Sequence, residues 1–136
     1  MEKQEITVGR LFEFYLDTLD KCGSHVKNLP DNMIEYYIFE EFVVGATTFF
    51  QENSLDKLLH HRIIDDKIYA SSKELRARML ELEGTDKWNI ISVKNSIEWN
   101  SLMQIADQIK QEISERWSEE DICRLISDSI EANEHG

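Results

Sequence analysis

Apolar residues recur at spacings of three and four along most of the chain, which is the pattern of amphipathic α-helices. The first such segment covers residues 7–22, with Thr7 in the position of an N-cap and Gly23 where a left-handed residue is expected after the helix. Its apolar positions are Val8, Leu11, Phe12, Tyr15, Leu16 and Leu19. One side of this helix is therefore predicted to face a core.

A second helix is predicted from Pro30, a residue that suits a first helical turn, to about Asn53. Its apolar residues cover more than one stripe, so we expect it to lie centrally among the other helices. Gly45, Thr47 and Thr48 are weak helix formers within it, and they indicate either a kink or a close contact with another helix.

Four further helices complete the predicted fold. An S-x-x-E capping box at Ser71 and Glu74 begins one of them, and Gly84 ends it. The predicted ranges are 54–61, 71–83, 96–117 and 118–130.

Two stretches leave the local structure open. Residues 62–70 (RIIDDKIYA) and 88–94 (WNIISVK) are rich in β-branched residues, so each is compatible with a short extended segment as well as with helical turns. Elsewhere the chain has only five glycines and one proline, too few for the many turns of an all-β fold. We predict an all-α fold of about six helices in a compact bundle, with residues 1–136 forming a single domain.

The charge distribution bears on the class of partner. The net charge is −12, and the acidic excess lies at the two ends: residues 1–56 and 98–136 each carry −7, whereas residues 57–97 carry +2. Such a surface repels nucleic acids and anionic membranes and attracts basic proteins. The simpler interpretation is that the negative charge only maintains solubility.

The sequence also predicts a location. No run approaches the roughly 20 apolar residues of a membrane-spanning helix. The N-terminal segment MEKQEITVGR has two glutamates among its first five residues and no apolar run, unlike a secretory signal. Cys22 and Cys123 have no CxxC partner, which favours two reduced thiols. We expect a cytoplasmic protein that does not act at a membrane.

The search for catalytic motifs is negative. The chain has no Gly-rich phosphate loop, no GxSxG and no HExxH. Asp56 with His60, and His61 with Asp65, have the spacing of residues on one helix face and are compatible with a divalent metal, but ordinary polar residues at a solvated helix end are the favoured explanation. We therefore predict no catalytic residues, no metal site and no cofactor.

Carboxylates concentrated on polar helix faces are the remaining candidate for function. Glu13, Asp17 and Asp20 are spaced by four and three and form one acidic edge. A second group lies around the end of the helix predicted over 96–117: Glu112, Glu115, Trp117, Glu119, Glu120 and Asp121. Together they predict a docking surface for a basic protein, although a charged helix face is often merely solvated.

The second half of the chain carries a family resemblance. The segments IYASSKELRARMLEL (68–82) and WNIISVKNSIEWNSLMQIADQI (88–109) resemble bacterial immunity proteins of contact-dependent growth inhibition systems. The resemblance implies a small cytoplasmic protein that binds and neutralises the toxic domain encoded beside it. Because immunity proteins span unrelated folds, it implies neither a fold nor contact residues.

These observations give one leading hypothesis and two alternatives. The first is an immunity protein that binds a cognate basic toxin domain, with a nuclease the expected class, through the two acidic groups. The second is a non-enzymatic helical adaptor or regulator that holds a partner helix in an apolar groove. The third is a metal-dependent hydrolase that uses His60, His61 and Asp65.

Overall fold

The structure, a computed structural model, describes residues 6–127, and this part of the chain is helical without a β-strand. The predicted all-α fold is confirmed. The helices are α1 (Val8–Asp20), α2 (Asp31–Ile34), α3 (Val43–Phe49), α4 (Glu52–His60), α5 (Asp66–Leu82), α6 (Ile90–Asn95), α7 (Ile97–Arg116) and α8 (Glu119–Ile126), with a 3-10 helix at Ser24–Asn28 and a π-helix at Glu35–Phe42.

The beginning of α1 follows the sequence prediction, and its end does not. The Thr7 hydroxyl accepts a 3.1 Å hydrogen bond from the Arg10 amide, as an N-cap does. Gly23, however, has φ −74°, so the expected left-handed residue is absent there. The helix instead ends in tight turns, in which the Lys21 and Cys22 amides donate to carbonyls three residues earlier.

The predicted second helix is continuous from α2 through the π-helix to α3. In an α-helix, side chains four residues apart differ in direction by about 40°, because four residues make slightly more than one turn. The wider turns of the π-helix offset this difference, so residues four apart can stay on one face. Ile34, Ile38, Phe42 and Ala46 are accordingly all buried. The helix ends at Phe49, before the predicted Asn53, because Phe50 and Gln51 leave helical geometry and α4 begins at Glu52.

Both stretches that were left open end in a helix: residues 66–70 belong to α5 and residues 90–94 to α6, and neither stretch contains a β-strand. Asp65 caps α5 by accepting a 2.8 Å hydrogen bond from the Ile68 amide, which starts the helix five residues before Ser71. Asn89 caps α6 in the same way through the Ser92 amide. Gly84, with φ +82°, follows the end of α5 as predicted.

The last two helices begin where serine caps were expected. Ser96 accepts from the Trp99 amide at 3.2 Å, and Ser118 accepts from the Asp121 amide at 3.1 Å. The structure places α8 at Glu119–Ile126. The rest of the predicted range, residues 128–130, lies outside the described residues.

The buried apolar side chains form one cluster to which all the long helices contribute. Lys67, near the start of α5, contacts Glu112, near the end of α7, so these two helices run antiparallel. Tyr15 of α1 reaches α5 through a buried hydrogen bond to Ser72. Trp99 is fully buried, and its indole N–H donates to the Lys87 carbonyl at 2.7 Å. Within residues 6–127, no helix has the length and apolar character required to cross a bilayer.

Candidate protein-binding surface

The acidic edge predicted on α1 reaches the protein surface, where two of its three carboxylates form ion pairs. Asp17 and Asp20 are exposed, and Glu13 is half-buried. Glu13 forms a 2.7 Å ion pair with Arg10 on the same helix, and the Asp20 carboxylate lies 3.1 Å from the Lys110 ammonium of α7. Such exposed pairs leave most of the carboxylate accessible.

Asp17 differs because it stands at a groove between α1 and α3. No hydrogen bond or ion pair within residues 6–127 engages its carboxylate. The groove has a volume of about 240 Å³. Its lining residues are Phe14, Asp17, Thr18, Lys21, Glu41, Val44, Gly45 and Phe49.

The groove is formed by a close contact between its two helices. Gly45 of α3 lies so near Thr18 of α1 that a Cβ at this position would overlap the threonine side chain. This is the close helix contact that the weak helix formers around Gly45 indicated. Phe14 and Phe49 stack at one side of the groove with ring centroids 5.0 Å apart, and Val44 remains 62% exposed. Phe14, Val44 and Phe49 therefore give the groove an apolar side that is open to solvent.

The electrostatics at this groove favour a cationic partner. Partial burial is the main reason that the pKa of Asp17 is raised; Lys21 opposes the shift, and the nearby carboxylates of Glu13, Asp20 and Glu41 add to it. Like charges are thus concentrated around one carboxylate that has no ion-pair partner of its own. A cation placed here would relieve this repulsion.

The second predicted group is divided by the structure. The Glu112 side chain is only 9% exposed; its Oε2 atom is 2.8 Å from the Lys67 ammonium, and its Oε1 atom is buried without a hydrogen-bond partner. Lys67 is 45 residues away in sequence, and no local pattern indicates the pairing. We leave Glu112 out of the candidate surface because its carboxylate is directed into the protein.

Trp117 also has an internal role. Its indole N–H donates to the Ile63 carbonyl at 2.9 Å, and the Arg116 guanidinium lies 5.4 Å from its ring centre. Arg116 in turn donates to the carbonyls of Arg62 and Ile63. These bonds hold the end of α7 against the turn between α4 and α5, where Arg62 has φ +61°. We therefore leave Trp117 out as well.

The other members of the second group lie at the surface. Glu115, Glu119 and Glu120 are exposed, while Asp121 is half-buried and pairs with Arg124. Glu115 lies on α7 and the other three on α8, which packs against the start of α1, where the carbonyls of Leu125 and Ile126 approach Gly9. The second acidic group thus lies on α7 and α8, which both contact α1, the helix that carries the first group.

The residues considered for a metal have other roles. Asp65 caps α5, and Asp56 accepts a 2.6 Å hydrogen bond from the Tyr69 hydroxyl. His60 and His61 contact each other edge to face, with ring centroids 5.2 Å apart. Residues 6–127 contain no group of three His, Cys, Asp or Glu side chains arranged to hold a metal ion.

The buried cysteine, Cys22, does not resemble an activated nucleophile. Cys22 is fully buried, and burial raises the pKa of its thiol, which keeps it protonated. Its sulfur contacts the carbonyls of Thr18 and Leu19 at 3.6 Å. Cys123 is an exposed free thiol on α8.

Sequence reasoning missed the residues that α2 through α3 contributes to the groove. Glu41 and Val44 belong to a helix whose apolar residues surround much of its circumference, so no clean polar face distinguished them. The signal available was Gly45, because a glycine inside a helix often marks close packing.

Comparisons with protein families, with curated proteins and with solved structures found no match.

Proposed function

We propose that this chain is a cytoplasmic, non-enzymatic immunity protein that binds and neutralises a cognate basic toxin domain of the nuclease class by protein–protein contact. The observation that carries the proposal is the unpaired Asp17 carboxylate beside an apolar groove, surrounded by further carboxylates. The proposed toxin-binding surface consists of Glu13, Asp17, Asp20, Glu41, Glu115, Glu119, Glu120 and Asp121.

The physical argument starts from the target. A nuclease holds phosphates with lysine and arginine side chains, so its active cleft is basic. A partner with a net charge of −12 is attracted to such a cleft from a distance, which accelerates the encounter. Neutralisation then requires occupancy of the surface and no chemistry from the inhibitor.

The second candidate is a helical adaptor or regulator that binds a partner helix in an apolar groove. The exposed Val44 beside Phe49 favours it. The two candidates differ in their response to salt: steered association slows as ionic strength rises, whereas apolar docking is nearly insensitive.

A co-culture of two host strains tests the proposal. The gene for this chain is deleted from its host, and the deletion strain is grown in contact with the parent. An immunity function predicts that the parent inhibits the deletion strain and that this chain, supplied on a plasmid, restores its growth. Normal growth of the deletion strain beside the parent would reject the proposal.

A further inference from the structure

The α1–α3 groove has the size of a site for a side chain. Its volume of about 240 Å³ is below the roughly 300–1,000 Å³ of pockets that hold cofactors or small molecules. Protein interfaces are commonly centred on one or a few apolar anchors that enter a pocket of the partner. A single large aliphatic side chain matches the apolar side of the groove, which is formed by Phe14, Val44 and Phe49.

The charges at the rim of the groove indicate which partner side chains lie beside this anchor. Asp17 and Glu41 line the groove, and Glu13 and Asp20 lie close enough to raise the pKa of Asp17. Lys21 is the cation in the lining, and its ammonium lies 5.0 Å from the ring centre of Tyr37. Carboxylates thus outnumber cations at the rim, which is complementary to lysine or arginine beside the anchor.

We infer that the α1–α3 groove receives one aliphatic side chain from a lysine- or arginine-rich segment of the partner protein. This inference rests on the proposed function, because it names where and how the basic partner is anchored. The occupant follows from charge complementarity: the apolar side of the groove contacts the anchor, and the carboxylates of the rim pair with the flanking cations. The exposed carboxylates of α8 contribute to steering and not to the anchor.

A designed peptide provides the probe. It is a fluorescein-labelled helix of about 14 residues, or four turns, with leucines at four-residue spacing on one face and lysines elsewhere. One control peptide replaces the leucines with serine, and the other replaces the lysines with glutamate. Binding to the full chain is measured by fluorescence anisotropy, and the contacted residues are located by backbone amide chemical shifts.

Val44→Gln removes the apolar contact without changing the charge. Because Val44 is 62% exposed and glutamine is a good helix former, the variant is expected to fold. Ile91→Gln is the matched control, since Ile91 is 74% exposed on α6, away from the groove. Asp17→Asn tests the rim, with Glu83→Gln, which neutralises an exposed carboxylate after the end of α5, as its control.

The expected result is that the leucine–lysine peptide shifts the amide signals of Thr18, Val44 and Phe49. Val44→Gln and Asp17→Asn should each weaken its binding roughly tenfold, and the two control variants should bind within about twofold of the unchanged chain. The serine and glutamate peptides should bind much more weakly. Equal binding of the serine peptide, shifts confined to α8, or no binding at about 1 mM peptide would each overturn the inference.

The same variants in the co-culture separate the inference from the proposed function. If Val44→Gln restores growth as fully as the unchanged chain, the immunity function stands and the groove is not the anchor. If the unchanged chain itself gives no protection, the proposed function fails. The peptide measurement then still decides whether the groove binds a basic segment with an aliphatic anchor.

Discussion

The hydroxyl groups of Tyr15 and Ser72 form a 2.6 Å hydrogen bond in the core, joining α1 to α5 across 57 positions of sequence. Ser72 also donates to the Ile68 carbonyl at 2.8 Å, so its proton is used there and Tyr15 is the donor in the pair. Both side chains are fully buried. Among the described residues 6–127, Ser72 is thus the one hydrogen-bond partner of the Tyr15 hydroxyl, whereas Ser72 also bonds to Ile68.

This asymmetry predicts unequal effects of two substitutions. Ser72→Ala leaves the Tyr15 hydroxyl buried without a partner and should lower the free energy of unfolding by about 1–3 kcal/mol. Tyr15→Phe keeps the ring packed and leaves Ser72 bonded to Ile68, so its cost should be about 1 kcal/mol or less. Urea unfolding of both variants measures the difference. A larger loss in Tyr15→Phe than in Ser72→Ala would contradict the assignment of the donor.

Stability is predicted to fall at alkaline pH. Burial raises the pKa of Tyr15 above its ordinary value of 10.0 and the pKa of Cys22 above 9.0. The unfolded chain therefore loses these protons at lower pH than the folded chain does. This contribution to stability is complete below about pH 9, the ordinary pKa of Cys22, and is lost as the pH rises.

The slope can be measured group by group. Each group lowers the free energy of unfolding by up to about 1.4 kcal/mol per pH unit in its window. Urea unfolding at a series of pH values, repeated with Cys22→Ala and Tyr15→Phe, should show a shallower alkaline decline in each variant. Identical slopes in all three proteins would show that neither buried group is responsible.

The contact between Gly45 and Thr18 predicts that a substitution at Thr18 partly restores the stability lost by a substitution at Gly45. Gly45→Ala places a methyl group against the Thr18 side chain and should cost about 1–3 kcal/mol as the helices shift apart. Thr18→Ala alone should cost less, and combining it with Gly45→Ala should recover part of the loss because it makes room for the methyl group. A double-mutant cycle by urea unfolding gives the coupling; additive costs would mean that the two residues do not limit the approach of α1 and α3.

Trp117 is predicted to stabilise the fold through its bond to Ile63. Trp117→Phe removes the indole donor and should cost about 1 kcal/mol more than Trp88→Phe, whose half-buried indole makes no hydrogen bond within residues 6–127. Thermal unfolding of the two variants compares the same ring change with and without a lost hydrogen bond. Equal costs would show that the bond to Ile63 contributes little.

Much of the fold could be predicted because the signals are local. Thr7, Ser96 and Ser118 each cap the helix that follows them, and apolar spacing places the core side of α1 and α7 correctly. The start of α5 was misplaced because both Asp65 and Ser71 are good N-cap residues. The sequence does not show which of the two residues precedes the first helical turn. The burial of Ile68 explains the choice of Asp65. A helix capped by Asp65 places Ile68, Ser72 and Leu75 on the same buried face.

The candidate surface was less predictable because it depends on contacts distant in sequence. Glu112 has the pattern of an exposed helix residue, yet Lys67 holds it at the α5–α7 interface. Asp17 was identified from α1 alone, but the groove beside it forms only because α3 packs closely against α1 at Gly45. Helix periodicity shows which face is polar, and only the packing of helices shows which carboxylates lack a partner.

The central claim is that the carboxylates of the α1 edge bind a basic partner. Its most direct test is growth of the deletion strain beside its parent, complemented by a variant with Glu13→Gln, Asp17→Asn and Asp20→Asn. A control variant with Glu81→Gln, Glu83→Gln and Asp86→Asn removes the same charge from exposed positions at the end of α5. We predict that the α1 variant loses protection while the control protects like the unchanged chain; equal protection by both variants would contradict the claim.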